Sequence, residues 1–147
     1  MKKLLLSTLL LLLTLSVYSQ TVPNTPYELY KYNERLGGYV IKYDGMSGKY
    51  VKTEDFSPTE IIWNSIPNEV RSNLPTSEDL KAIAILYNRG NNVNLKKARY
   101  WGNDGDFFSY ACQLDVENGR VIYETIFGSD PNKAAAFVRL VYDFQND

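Results

Sequence analysis

The chain has 147 residues, with seventeen acidic side chains, sixteen basic ones, a formal net charge of −1, no histidine and one cysteine. A near-neutral charge supplies no overall field that would draw the protein to nucleic acid or anionic lipid. The missing imidazole removes Ser-His-Asp and Cys-His catalysis, histidine bases and most catalytic zinc sites, and a lone cysteine forms no intrachain disulfide.

Met1 to Ser19 has the three-part layout of a secretory signal peptide. Lys2 and Lys3 give a positive start, Leu4 to Val17 is an apolar run, and Val17-Tyr18-Ser19 offers a peptidase site with Gln20 as the new N-terminus. The run is shorter than the roughly 20 residues a spanning helix needs, and no cysteine follows it for lipid attachment. The expectation is export to the periplasm or exterior of a bacterium, with no transmembrane segment after cleavage. Fourteen basic residues then face seventeen acidic ones, a net charge of −3 over residues 20–147. That length suits one domain able to fold without metal or disulfides.

Gln20 to Pro26 reads as an extended lead-in, and Tyr27 to Tyr32 alternates like an edge strand. Gly38 to Asp44 and Lys49 to Thr53 are rich in Tyr, Val and Ile, and Gly45-Met46-Ser47-Gly48 between them predicts a hairpin. Ser57-Pro58-Thr59-Glu60 has the form of a capping box and predicts a helix carrying Ile61, Ile62 and Trp63 until Pro67. Asn68 to Leu74 adds a short turn. Thr76 caps a second helix, with Glu78 and Asp79 in its first turn, Leu80, Ile83, Ala84 and Tyr87 on one face, and Gly90 at its end.

Phe107 to Val116 and Arg120 to Phe127 flank Asn118-Gly119, a strong hairpin signal. A two-residue turn there would pair Glu117 with Arg120, Val116 with Val121, Leu114 with Tyr123, Cys112 with Thr125 and Tyr110 with Phe127. Asp130-Pro131 predicts the start of a last helix, with Ala134, Phe137, Val138, Val141 and Phe144 as the stripe that covers the sheet. The fold class expected is α+β: one domain, with a mainly antiparallel sheet of about five or six strands and helices from the middle and C-terminus packed on one face.

Tyrosine is the compositional oddity, with eleven after Tyr18 leaves with the leader. Rings alternating along strands either pack as ordinary β-formers or leave an outward face that binds a partner. The candidate binding residues are Tyr30, Tyr32, Tyr39, Tyr43, Tyr50 and Trp101. Lys96-Lys97-Ala98-Arg99-Tyr100-Trp101 mixes bases with aromatics, but its alternation suits a charged edge strand better than a nucleic-acid platform. Asn103-Asp104-Gly105-Asp106 crowds oxygen ligands without the spacing of a calcium loop and reads as a polar turn. Cys112, inside an apolar strand face, reads as an inert buried thiol rather than an intermolecular bridge.

No nucleophile elbow, phosphate loop or dinucleotide fingerprint occurs, and no cofactor or metal is implied. The leading expectation is an exported, non-enzymatic binding protein that presents an aromatic-rich sheet face to a protein or glycan, in one form an inhibitor or immunity protein. The alternative is a small carboxylate-dependent hydrolase of envelope or extracellular glycans, drawing on Glu54, Asp55, Glu60, Asp79, Asp104, Asp106 and Glu124.

Overall fold

The computed structural model describes residues 27–105, 110–125 and 134–146. The chain is mixed α and β, but its strands form three small sheets rather than one broad one. The first holds β1 (Tyr32–Asn33), β2 (Gly38–Tyr43), β3 (Ser47–Asp55) and β9 (Arg139–Gln145) in the order β1-β2-β3-β9. The second pairs β4 (Ile61–Ile62) with β8 (Ala135–Ala136), and the third runs β5 (Arg99–Asn103), β6 (Tyr110–Asp115), β7 (Arg120–Thr125). Two α-helices are described, α1 (Asn68–Arg71) and α2 (Ser77–Asn88), and no helix among the described residues is long and apolar enough to cross a membrane.

The β2–β3 hairpin forms because Asp44 closes it: its carboxylate accepts the Met46 and Ser47 amides and the Ser47 hydroxyl, while Gly45 turns at φ +98°. Those bonds hold the Asp44 carboxyl below its ordinary range. Of the strand expected over Tyr27 to Tyr32 only Tyr32 belongs to β1, because Tyr30 sits in the left-handed region at φ 63° and breaks the extension.

The last helix expected from the sequence is instead a strand. Antiparallel pairing sets Val141 opposite Val51 and Tyr142 opposite Tyr50, so β3 becomes a central strand. That stripe does not share a strand face, since Val141 and Phe144 point to opposite sides of the sheet; the period of two belongs to Leu140, Tyr142 and Phe144, which suit a pleated surface once β3 offers an open edge. The start of that helix, Asp130-Pro131, lies outside the described residues.

The box at Ser57 caps no helix. Ser57 Oγ accepts the Thr59 amide two residues on, a local turn that competes with helix entry. Ile61–Ile62 pairs with Ala135–Ala136, a 3₁₀ turn covers Trp63–Ser65, and α1 begins after Pro67 instead of ending there. The helix expected at Thr76 does form. Thr76 Oγ1 accepts the Asp79 amide at 3.2 Å, and Asp79 Oδ2 accepts the Thr76 amide at 3.1 Å. Gly90 (φ +73°) closes α2, with the Asn91 amide on the Leu86 carbonyl and the Gly90 amide on that of Tyr87.

The third sheet keeps the expected faces but not the expected register. Asp115 pairs with Arg120, Leu114 with Val121 and Cys112 with Tyr123, so the loop is Val116 to Gly119, four residues long. Asp115 accepts the Asn118 amide and side chain, and Gly119 takes φ +63°, which shapes the longer loop. The displacement is two residues, and an even shift leaves every side chain on its own face. Phe127, expected opposite Tyr110, lies outside the described residues, and Tyr110 pairs with Thr125.

Helix α2 touches both larger sheets and joins them in one core of Ile41, Val51, Val141, Leu80, Ile83, Leu86, Cys112 and Leu114. A second core gathers Trp63, Ile66, Val70, Leu74, Trp101 and Val138 on the other face of the third sheet. β5 is not an open edge: Phe137 makes a parallel bridge to Tyr100, its amide on the Arg99 carbonyl and its carbonyl receiving the Trp101 amide.

Candidate binding cleft

The site starts from an irregularity. Val51 pairs with Val141 and Asp55 with Arg139, so three β3 residues, Lys52, Thr53 and Glu54, oppose the single Leu140. Extra residues in one strand bend it away from its partner. Here the bend borders an open cleft of about 470 Å³ whose walls include Tyr32, Lys52, Glu54, Phe56, Leu140 and Tyr142. Tyr32 is 49 % exposed and Phe56 44 %, so each offers apolar surface to a ligand.

Beneath the bend lies Arg139, 1 % exposed, with all five of its N–H groups engaged. Nε and Nη2 bond Asp55 Oδ1 at 3.0 and 2.7 Å. Nη1 bonds the carbonyls of Lys52 and Val93, and Nη2 also that of Asn94. The guanidinium therefore holds both ends of the bent segment, the Lys52 carbonyl and the Asp55 carboxylate. The other Asp55 oxygen takes Lys96 Nζ at 3.1 Å and the Tyr100 hydroxyl at 3.4 Å. Burial pushes the Tyr100 hydroxyl above its ordinary range, against the lowering effect of the Lys96 amide that donates to it.

On the sheet face away from α2, rings tile across strands. Tyr50 and Tyr142 stack with centroids 5.6 Å apart, and Lys52 Nζ sits over both, at 5.2 and 5.8 Å. Tyr50 continues to Phe144 at 6.3 Å, and Phe144 to Tyr27 at 4.5 Å and Tyr43 at 5.9 Å. Glycines let the rings lie down: a Cβ on Gly48 would stand 2.6 Å from Phe144 Cζ, and one on Gly38 would stand 2.9 Å from Tyr50 Cδ2.

The six residues singled out from the sequence divide sharply. Tyr32 lines the cleft, and Tyr39 supports it edge-on at 5.3 Å. Tyr50 lies under Lys52, and Tyr43, half-buried, stacks on the buried Phe144. Tyr30 lies apart, half-buried under the Arg89 guanidinium at 4.5 Å. Trp101 is a correction: it is 2 % exposed, its indole N–H donates to the Ile61 carbonyl at 2.7 Å, and its ring meets Trp63 edge-on. A buried, satisfied indole presents nothing to a ligand.

Phe56, Leu140, Tyr142 and Lys52 went unselected. Tyr142 and Leu140 read as helical from the sequence, and the role of Lys52 depends on rings, Tyr142 among them, brought together by pairing of β3 with β9. Of the carboxylates, Asp79 caps α2 and binds Lys49 at 2.9 Å, and Asp104 accepts the Ser77 amide at the same helix start. The second contact fits the polar-turn reading of Asn103-Asp104-Gly105, while Asp106 and the side chain of Glu124 lie outside the described residues. Among the described residues no three metal-ligating side chains gather. Cys112 is fully buried and its thiol is pushed up to about 12 by burial, so it carries little thiolate at neutral pH.

No family model matches the chain, and neither the curated proteins nor the solved structures searched include a match to it.

Proposed function

We propose that the protein is exported, loses residues 1–19, and works as a non-enzymatic binding protein whose ligand is a glycan held in the cleft beside Tyr32, Phe56 and Tyr142. The observation that carries this reading is the pairing of two half-exposed aromatic side chains with a polar wall in one concavity. Its volume of about 470 Å³ falls in the ordinary range for ligand pockets, roughly 300–1,000 Å³. Sugar rings present apolar C–H faces and hydroxyl edges together, and aromatic walls flanked by Lys52 and Glu54 suit both. The pinned bend favours binding because a wall fixed before the ligand arrives needs little ordering.

Hydrolysis would need two carboxyl groups flanking the bond to be cleaved. Glu54 and Asp55 both border the cleft, yet Asp55 is occupied by Arg139, Lys96 and Tyr100. That arrangement favours the binding reading.

The test is titration of the purified protein with a panel of envelope and extracellular oligosaccharides, followed by tyrosine fluorescence and calorimetry. Tyr32→Ala and Phe56→Ala are expected to weaken the best ligand at least tenfold, about 1.4 kcal/mol each. Failure of every saccharide to bind, or binding indifferent to both substitutions, overturns the proposal. Saccharide cleavage that Glu54→Gln abolishes would transfer the protein to the hydrolases, and a stoichiometric protein partner captured through Tyr32 would replace the glycan.

A further inference from the structure

Three lysines whose ammonium groups have a defined partner can be compared. Lys49 binds the Asp79 carboxylate at 2.9 Å, and Lys96 binds that of Asp55 at 3.1 Å. Lys52, half-buried in the cleft wall, reaches no carboxylate among the described residues. Its ammonium donates to the Leu36 carbonyl at 3.1 Å and rests over the Tyr50 and Tyr142 rings. An ammonium carries three N–H groups, so hydrogen-bonding capacity is left over beside the cleft. The two rings hold the charge by cation–π attraction without neutralising it.

The anions nearby do not cancel that charge. Asp55 is taken up by Arg139 and Lys96, which leaves Glu54, exposed to solvent and screened by it. Lys52 is thus a positioned cation next to an aromatic-walled cavity, with its side chain already held by Leu36 and two rings. Charge complementarity then selects the occupant.

We infer that the cleft takes an acidic saccharide, with a hexuronate carboxylate received by Lys52 Nζ and a sugar face laid against Tyr32 and Phe56. The inference rests on the cleft being the binding site, as proposed above. A carboxylate there forms a charge-assisted hydrogen bond, stronger than the neutral one a hydroxymethyl group offers in its place.

The experiment compares tetragalacturonate with its carboxyl-reduced neutral counterpart by calorimetry on the purified protein. The acidic form is expected to bind at least tenfold tighter. Lys52→Met is expected to abolish that preference, the acidic saccharide losing at least tenfold more affinity than the neutral one. Lys52→Arg, which keeps the charge, is expected to retain at least half of the preference on a logarithmic scale. Circular dichroism of both variants reports folding independently. Equal affinity for the two saccharides, both lost in Tyr32→Ala, overturns the role of Lys52 and leaves the cleft reading standing. A preference that persists in a folded Lys52→Met protein also overturns it. Absence of binding by either saccharide overturns the acidic-ligand inference, and the neutral panel then decides the cleft.

Discussion

The three-stranded and four-stranded sheets contain similar residues and use them oppositely. In the β5-β6-β7 sheet both faces of β5 and β6 are covered: Tyr100, Cys112 and Leu114 face the core shared with α2, while Trp101 and Ala111 face the tryptophan core. The β1-β2-β3-β9 sheet buries Val51 and Val141 on the α2 side and tiles its other side with half-covered tyrosines. One layer is sealed by packing, and the other keeps a concavity where β3 bends. An aromatic residue therefore says nothing about binding until it is known how many of its sheet's faces are covered. Trp101 and Tyr32 are both strand aromatics, and they differ by that fact.

Arg139 ties the bent segment of the open sheet to the loop at Val93 and Asn94, so its loss should have the largest effect. Arg139→Ala leaves Asp55 buried with only Lys96 and Tyr100, and frees the Val93 and Asn94 carbonyls. Removing one partner of a buried pair typically costs about 3–5 kcal/mol. Urea denaturation should show a loss of this size, and an exposed, mobile 93–94 loop in hydrogen exchange. A loss below about 1 kcal/mol would mean that the joint is dispensable.

Next in size are substitutions within the sealed layer. Trp101→Phe keeps an aromatic ring but loses part of the indole volume and the donor to the part-buried Ile61 carbonyl, at a cost of about 1–3 kcal/mol. Gly102→Ala places a methyl group 2.6 Å from Leu80 Cδ1 and 2.7 Å from Cys112 Sγ, an overpacking that costs typically 1–3 kcal/mol. Tyr32→Ala, in the open layer, should move stability by about 0.5 kcal/mol or less while removing cleft binding. Thermal melts of the three variants test the contrast directly, and a Tyr32→Ala loss matching that of Trp101→Phe would erase it.

Local chemistry was readable along the chain, and long-range pairing was not. Thr76 with Asp79, and Gly90 after Tyr87, mark α2 because a helix end is settled within a few residues. Asn118-Gly119 marked a hairpin correctly, yet the Asp115 bonds to Asn118 lengthened its loop by two residues. Residues 139–145 satisfy helical and strand periods alike, and only the unpaired edge of β3, some ninety positions earlier, decides between them. The same dependence hid the site. Tyr32 and Tyr50 could be chosen on type alone, whereas Tyr142, Leu140 and Lys52 acquire meaning through a bend visible only after β3 and β9 are paired. The burial of Trp101 is equally invisible along the chain, because the segment that covers β5, around Phe137, reads as helix on its own.

The smallest effect at neutral pH belongs to Cys112, and its dependence on pH is a sharper probe of the seal than its size. Burial raises its thiol from 9.0 to about 12 in the folded protein. The folded state therefore holds the proton through a range in which the unfolded chain releases it. The contribution to stability is complete below about pH 9 and declines as pH rises from there toward 12, because fewer protons bound in the unfolded state means a negative slope. Tyrosines and lysines titrate in the same range, so the informative quantity is the difference between wild-type and Cys112→Ala denaturation curves. That difference should be flat from pH 6 to 8 and should move in favour of the alanine variant above about pH 9. Native protein should also react with thiol reagents only at the rate of unfolding, since the sulfur is 0 % exposed. Fast modification of folded protein at pH 8, or a difference curve without slope above pH 9, would show that the three-stranded layer admits solvent as the four-stranded one does.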